Sequence, residues 1–143
     1  MFSWLRAMMG LASPRPADVE PSAFQAGEVW RYHTRPEEPD STVTVLRVDR
    51  DARAGTIVHL RVDGLRVRNP HHSAGVSAEI MHMPFEEAAV VRSVTDRVRS
   101  GAPIPDHAAG YDEWRRGFDA GGSGMFTITI AEAVDAMEQA INA

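Results

Sequence analysis

The 143-residue chain contains no cysteine. Disulfides, thiolate nucleophiles and zinc or iron–sulfur sites with cysteine ligands are therefore excluded, and the redox compartment is left open. Lysine is missing too, since all 15 basic residues are arginine. Asparagine and glutamine occur only twice each. With Ala, Val and Arg abundant, this bias points to a GC-rich bacterial coding sequence rather than to selection for bidentate anion binding. No Gly-x-Ser-x-Gly elbow, Walker loop or Gly-x-Gly-x-x-Gly turn occurs. Gly121-Gly-Ser-Gly124 precedes an expected strand, whereas phosphate cradles lead from a strand into a helix, so it reads as a loop.

What is present is ordinary for a globular protein: 43% apolar and 24% charged residues, a balance that argues against disorder. The length suits one domain able to build its own core. The net charge of −5 is uneven. Residues 1–76 carry 10 Arg against 9 acids, and residues 77–143 carry 5 Arg against 11 acids. An acidic second half disfavours a nucleic-acid backbone as partner and suits a basic protein or simple solvation.

The first 12 residues are the most apolar stretch, Met1-Phe-Ser-Trp-Leu-Arg-Ala-Met-Met-Gly-Leu-Ala12. No basic residue precedes the run and Arg6 interrupts it, unlike a secretory signal. Twelve residues fall short of the ~20 that span a bilayer. Ser13 to Pro21 carries three prolines and reads as an extended linker. The expected organisation is an apolar segment plus linker over 1–21 and a single domain over 22–143. Surface tethering through residues 1–12 is an alternative role, but a membrane is not the favoured partner and the expected location is cytoplasmic.

The body divides by period. Gly27–Thr34, Ser41–Val48, Thr56–Val62, Leu65–Arg68 and Ala78–Met83 read as strands. In the third, Val58, Leu60 and Val62 point one way and Ile57, His59 and Arg61 the other. Asp63-Gly64 predicts a two-residue hairpin turn, because a type I′ turn needs positive φ at both central residues. After Pro84 the spacing of Phe85, Ala88, Val91, Val94 and Val98 predicts a helix. Asp106 can cap a second helix through Phe118, and Ala131–Ile141 forms a third after a strand over Met125–Ile130. The fold class is α+β: a small antiparallel, strongly curved sheet or partial barrel, packed with three helices and one further strand.

Two clusters could carry chemistry. His71, His72, Glu79 and His82 fall close together and are types that bind zinc or another divalent metal. Glu79 and His82 would face opposite ways on a strand, and the spacing fits no motif with a known mechanism. The alternative has His71 and His72 in a solvated loop and His82 hydrogen-bonded beneath the following helix. Arg61, Arg66 and Arg68 would share a cationic sheet face with His59 across the predicted turn, beside Trp30 and Tyr32. That face is otherwise simply the wet side of an antiparallel sheet. With no convergent catalytic set and no cofactor implied, the first expectation is a non-enzymatic protein-interaction or binding module, of inhibitor or immunity type, facing a basic protein. The second is a metal- or ligand-binding, enzyme-like domain with its site around residues 69–85, where the halves meet.

Overall fold

A computed structural model describes residues 22–143; the expected apolar segment and linker over 1–21 lie outside the described residues. Five strands form one antiparallel sheet: β1 (Val29–Tyr32), β2 (Thr42–Asp51), β3 (Gly55–Arg68), β4 (Val76–Glu86) and β5 (Val94–Arg99). Their order is β4-β3-β2-β1-β5, so the sheet is open, with β4 and β5 at its edges. Three helices complete the α+β fold: α1 (Glu87–Ser93), α2 (Ala108–Asp119) and α3 (Ile130–Ile141).

The alternation of β3 dictates the layers. Val58, Leu60 and Val62 are fully buried in the main core, together with Met83 and Phe85 of β4, Ala89 and Val90 of α1, and Ile130, Ala133 and Val134 of α3. Burying side chains of this size contributes roughly 1.5–3 kcal/mol each. Ile57, on the opposite face of β3, packs instead with Tyr111 and Trp114 of α2. Helices therefore cover both faces, and α2 is the helix that packs on Ile57.

The predicted hairpin at Asp63-Gly64 does not form. β3 runs unbroken through it, and its pairing with β4 shifts register between Asp63 and Val67. Gly64 takes a positive φ of 74°. On the core face the buried positions run 58, 60, 62, then 65 and 67, so the alternation resets around Gly64, where the register shifts between β3 and β4, which is the action of a β-bulge. The chain reverses later, where the Asn69 amide donates to the Gly75 carbonyl at 2.9 Å. A Cβ at Gly64 would sit 3.2 Å from Ser41 Cα as well as occupying a strained φ. Gly64→Ala should thus cost about 1–2 kcal/mol in urea unfolding; an unchanged midpoint would contradict this reading of the bulge.

Two other elements differ from expectation. The helix after Pro84 ends at Ser93, and Val94–Arg99 becomes edge strand β5, paired with β1. The free edge of β1 offers backbone partners to a β-branched stretch of low helix propensity, and sheet pairing wins. The expected strand over 125–130 contributes a single bridge, Phe126 to Phe85. Thr129 leaves it to cap α3, with Glu132 completing a capping box.

A buried ion cluster ties α3 to the sheet. Arg35, 5% exposed, donates to both carboxylate oxygens of Glu38 at 2.7 and 2.9 Å. Its Nη1 reaches Asp135 at 3.0 Å and Glu138 at 2.8 Å. Glu38 also accepts the Arg66 amide at 2.8 Å. The pKa of Arg35 is raised, first by Glu38.

Candidate functional site

The polar groups that come together lie between β2, β3, β4 and α2. Alternation puts His59 on the α2 side of β3, beside Ile57, and it is fully buried there. Its Nε2 lies 3.0 Å from Asp49 Oδ2 on β2. Its Nδ1 lies 2.9 Å from His82 Nε2 on β4. Tyr111 of α2 donates its hydroxyl to the same Asp49 Oδ2 at 2.7 Å. Arg47 donates to Asp49 Oδ1 at 2.7 Å, and its guanidinium lies 4.2 Å from the centre of the Tyr111 ring. Trp114 closes the cluster edge-on, 4.8 Å from the His59 ring centre.

The protonation pattern follows from these partners. Burial works against ionisation of Asp49, but hydrogen bonds from Arg47 and Tyr111 and the nearby His59 outweigh it and hold its pKa below the usual carboxylate value. Burial pushes the His59 pKa down to about 4 against the opposing pull of Asp49, so at neutral pH the ring is uncharged. An ionised carboxylate only accepts, so His59 donates from Nε2 and accepts at Nδ1. His82 must then donate from Nε2, which leaves His82 Nδ1 as an acceptor. The result is a directed chain from Asp49 through His59 to His82. Burial, and then nearby His107, lower the His82 pKa as well. Burial raises that of Tyr111, followed by its bond to Asp49.

His82 ends the chain at a cleft of about 220 Å³, lined with it by Met81, Asp106, His107 and the backbone at the start of α2. Gly110 lets α2 approach: a Cβ there would lie 3.4 Å from His82 Cβ. His107 Nδ1 is 2.9 Å from the Pro105 carbonyl. A carbonyl only accepts, so Nδ1 carries a proton toward Pro105. Tyr111→Phe should lower stability by about 1–1.5 kcal/mol, because Asp49 keeps its other two donors. Thermal unfolding at pH 7 checks this; a loss near that of a full core truncation would mean the tyrosine does more.

The residues picked out by sequence are mostly dispersed. His71 and His72 are exposed in the β3–β4 turn and do not join His82. Among the described residues, no group of three or more His, Asp or Glu is placed to hold a metal ion. Glu79 instead pairs with Arg61 at 3.3 Å. His82 does lie under a helix, but under α2 rather than the helix that follows it.

Arg61, Arg66 and Arg68 share one strand, so Arg61 and Arg66 are not cross-strand neighbours, nor does Arg68 align with His59. Arg61 is neutralised by Asp63 at 3.0 Å as well as Glu79. Arg66 and Arg68 are exposed. Trp30 is half-buried and donates to Glu28 at 3.1 Å. Buried Tyr32 bonds Ser41 at 2.8 Å, and burial pushes its pKa up to about 12. Neither aromatic is placed as a stacking platform beside a cationic face.

Asp49, Tyr111 and the pairing role of His59 escaped the sequence reading. The one available signal was an imidazole at position 59 within a strand of otherwise apolar, sheet-buried neighbours. None of the described helices is long and apolar enough to cross a membrane. No family model, curated protein or solved structure matches the chain.

Proposed function

We propose that this protein is a binding module whose recognition site is the cleft between β4 and the start of α2, and whose ligand is a basic, N–H-bearing group carried by a partner protein. The observation that carries this reading is the hydrogen-bond chain ending on His82 Nδ1. Fixed by its bond to buried His59, itself tied to Asp49, His82 offers a lone pair whose direction and tautomer are set before any ligand arrives, which lowers the ordering cost of binding. The Asp106 carboxylate adds an acceptor at the same cleft, which His107 also lines. An ammonium or guanidinium group supplies donors and no acceptor, which complements such a lining. The net charge of −5 favours encounter with a basic surface.

No hydroxyl or thiol lines this cleft, which favours holding a group over covalent catalysis. The inhibitor or immunity type of partner is a narrower form of the same proposal. Its acidic face is smaller than composition suggests, because Asp135 and Glu138 are engaged by Arg35 and Asp119 by Arg115, while Asp112 and Glu113 of α2 are exposed.

Amide and imidazole NMR shifts during titration with ethylammonium and methylguanidinium, against acetate and inorganic phosphate, test the site. At pH 7.5 the cations should shift His82, His107 and Gly110, the anions should not, and His82→Leu should abolish the response. Equal shifts with all four probes, or cation shifts confined to other surfaces, would sink the proposal.

A further inference from the structure

We infer that α2 is an acid-released flap: a second proton taken up by the His59–His82 pair undocks Ala108–Asp119 and uncovers the apolar surface around Ile57. This stands apart from the ligand reading, because it needs no ligand. α2 is held by little else. Its apolar seat is the small cluster of Ile57, Tyr111 and Trp114, edged by Ala54, Phe118 and Met125. Its polar ties to the body are Tyr111 to Asp49 at 2.7 Å, the Trp114 indole to the Gly124 carbonyl at 2.7 Å and the Arg47 guanidinium 4.2 Å from the Tyr111 ring centre. The main core, with α1 and α3, includes no residue of α2.

The centre of that seat is titratable. The two imidazoles lie edge to edge, ring centres 5.1 Å apart and planes 13° from parallel, joined through the 2.9 Å bond. His59 also lies 5.0 Å from the Tyr111 ring. A first proton can settle on His82 Nδ1 at the cleft and leave the bond to His59 intact. The remaining basic nitrogen is His59 Nδ1, which faces the His82 Nε2–H at 2.9 Å. Protonation there aims two N–H groups at each other and sets two cations edge to edge away from water.

The surroundings cannot absorb this charge. β2 contributes one carboxylate, Asp49, already shared with Arg47 and Tyr111. From the α2 side come His107, which disfavours charge on His82, the Asp106 carboxylate, which lines the His82 cleft and already accepts the Ala108 amide at 3.1 Å, and the uncharged Tyr111 and Trp114. The strain is relieved when one ring swings out, and α2 is the element lying over both.

Hydrogen exchange of the full chain between pH 7 and pH 4, corrected for intrinsic rates, tests the inference. Protection of residues 108–119 should fall by about tenfold or more while β2, β3 and α3 keep theirs, and an apolar dye should bind reversibly over the same pH range. In His59→Gln the carboxamide can donate to Asp49 and accept from His82 but takes up no proton, so α2 should stay protected at pH 4. His82→Gln should behave likewise, because a protonated His59 could donate to its carbonyl, and it serves if the first variant is not folded. Loss of protection in α2 and the sheet together, or equal loss in the folded variants, would overturn the inference.

Discussion

Arg35→Met should lower the unfolding free energy by about 3–5 kcal/mol, as much as truncating a large core side chain. The reason is what remains rather than what is removed. Glu38 is 2% exposed, and without the guanidinium its carboxylate keeps the Arg66 amide as a donor but loses its countercharge in a low-dielectric setting. Asp135 and Glu138 are left beside it, adding like-charge repulsion. The double variant Arg35→Met/Glu38→Leu removes both buried charges and should recover much of the loss, since apolar replacement of a buried pair is often neutral. Urea unfolding at pH 7 measures both. A single-variant cost below about 1 kcal/mol would show that the cluster is hydrated and contributes as a surface pair does.

Acidification should remove about 3 kcal/mol between pH 7 and pH 4 through His59. The His59 pKa falls to about 4 on folding, from a model value of 6.5. A depressed histidine means that the unfolded chain binds the extra proton first, so stability declines as pH falls below about 6.5 and levels off near 4. His82 is shifted in the same direction and adds to the same slope. Asp49 and Glu138 have lowered pKa values, so their stabilisation is present above the unfolded carboxylate range and is lost only at more acid pH. The two classes therefore separate along the pH axis. In His59→Gln the stability between pH 7 and pH 4.5 should be markedly flatter than in the parent, while the steeper fall below pH 4 persists.

The strands were legible where burial on one face follows from local alternation, as at Val43 and Val45 in β2 or Val58, Leu60 and Val62 in β3. The errors share a cause. Asp63-Gly64 fits a tight turn and a bulge equally well, and the decision lies with Leu65 and Val67, which continue the buried face only because β4 arrives to pair with them. Val94 and Val98 satisfy a helical period, yet β1 offers an edge from more than sixty positions earlier in the chain, about the i−j separation of 65 between Arg31 and Asp96.

The site was less legible still. Asp49, His59, His82 and Tyr111 come from three strands and a helix, and the separation from Asp49 to Tyr111 is 62 positions. No spacing rule links them. Local patterning placed His59 opposite Val58 and Leu60, and a bonded His82 beneath a helix, but which helix and which bond are properties of the folded sheet.

The central claim is the directed chain from Asp49 through His59 to His82, and imidazole tautomers report it most directly. Long-range ¹H–¹⁵N correlation of the ring nitrogens at pH 7.5 should show both His59 and His82 neutral and protonated on Nε2, with His59 Nδ1 and His82 Nδ1 unprotonated. A neutral ring of either histidine carrying its proton on Nδ1 instead of Nε2 would contradict the account, because the 2.9 Å bond between the rings and the tie to Asp49 could not then both be made in the stated direction.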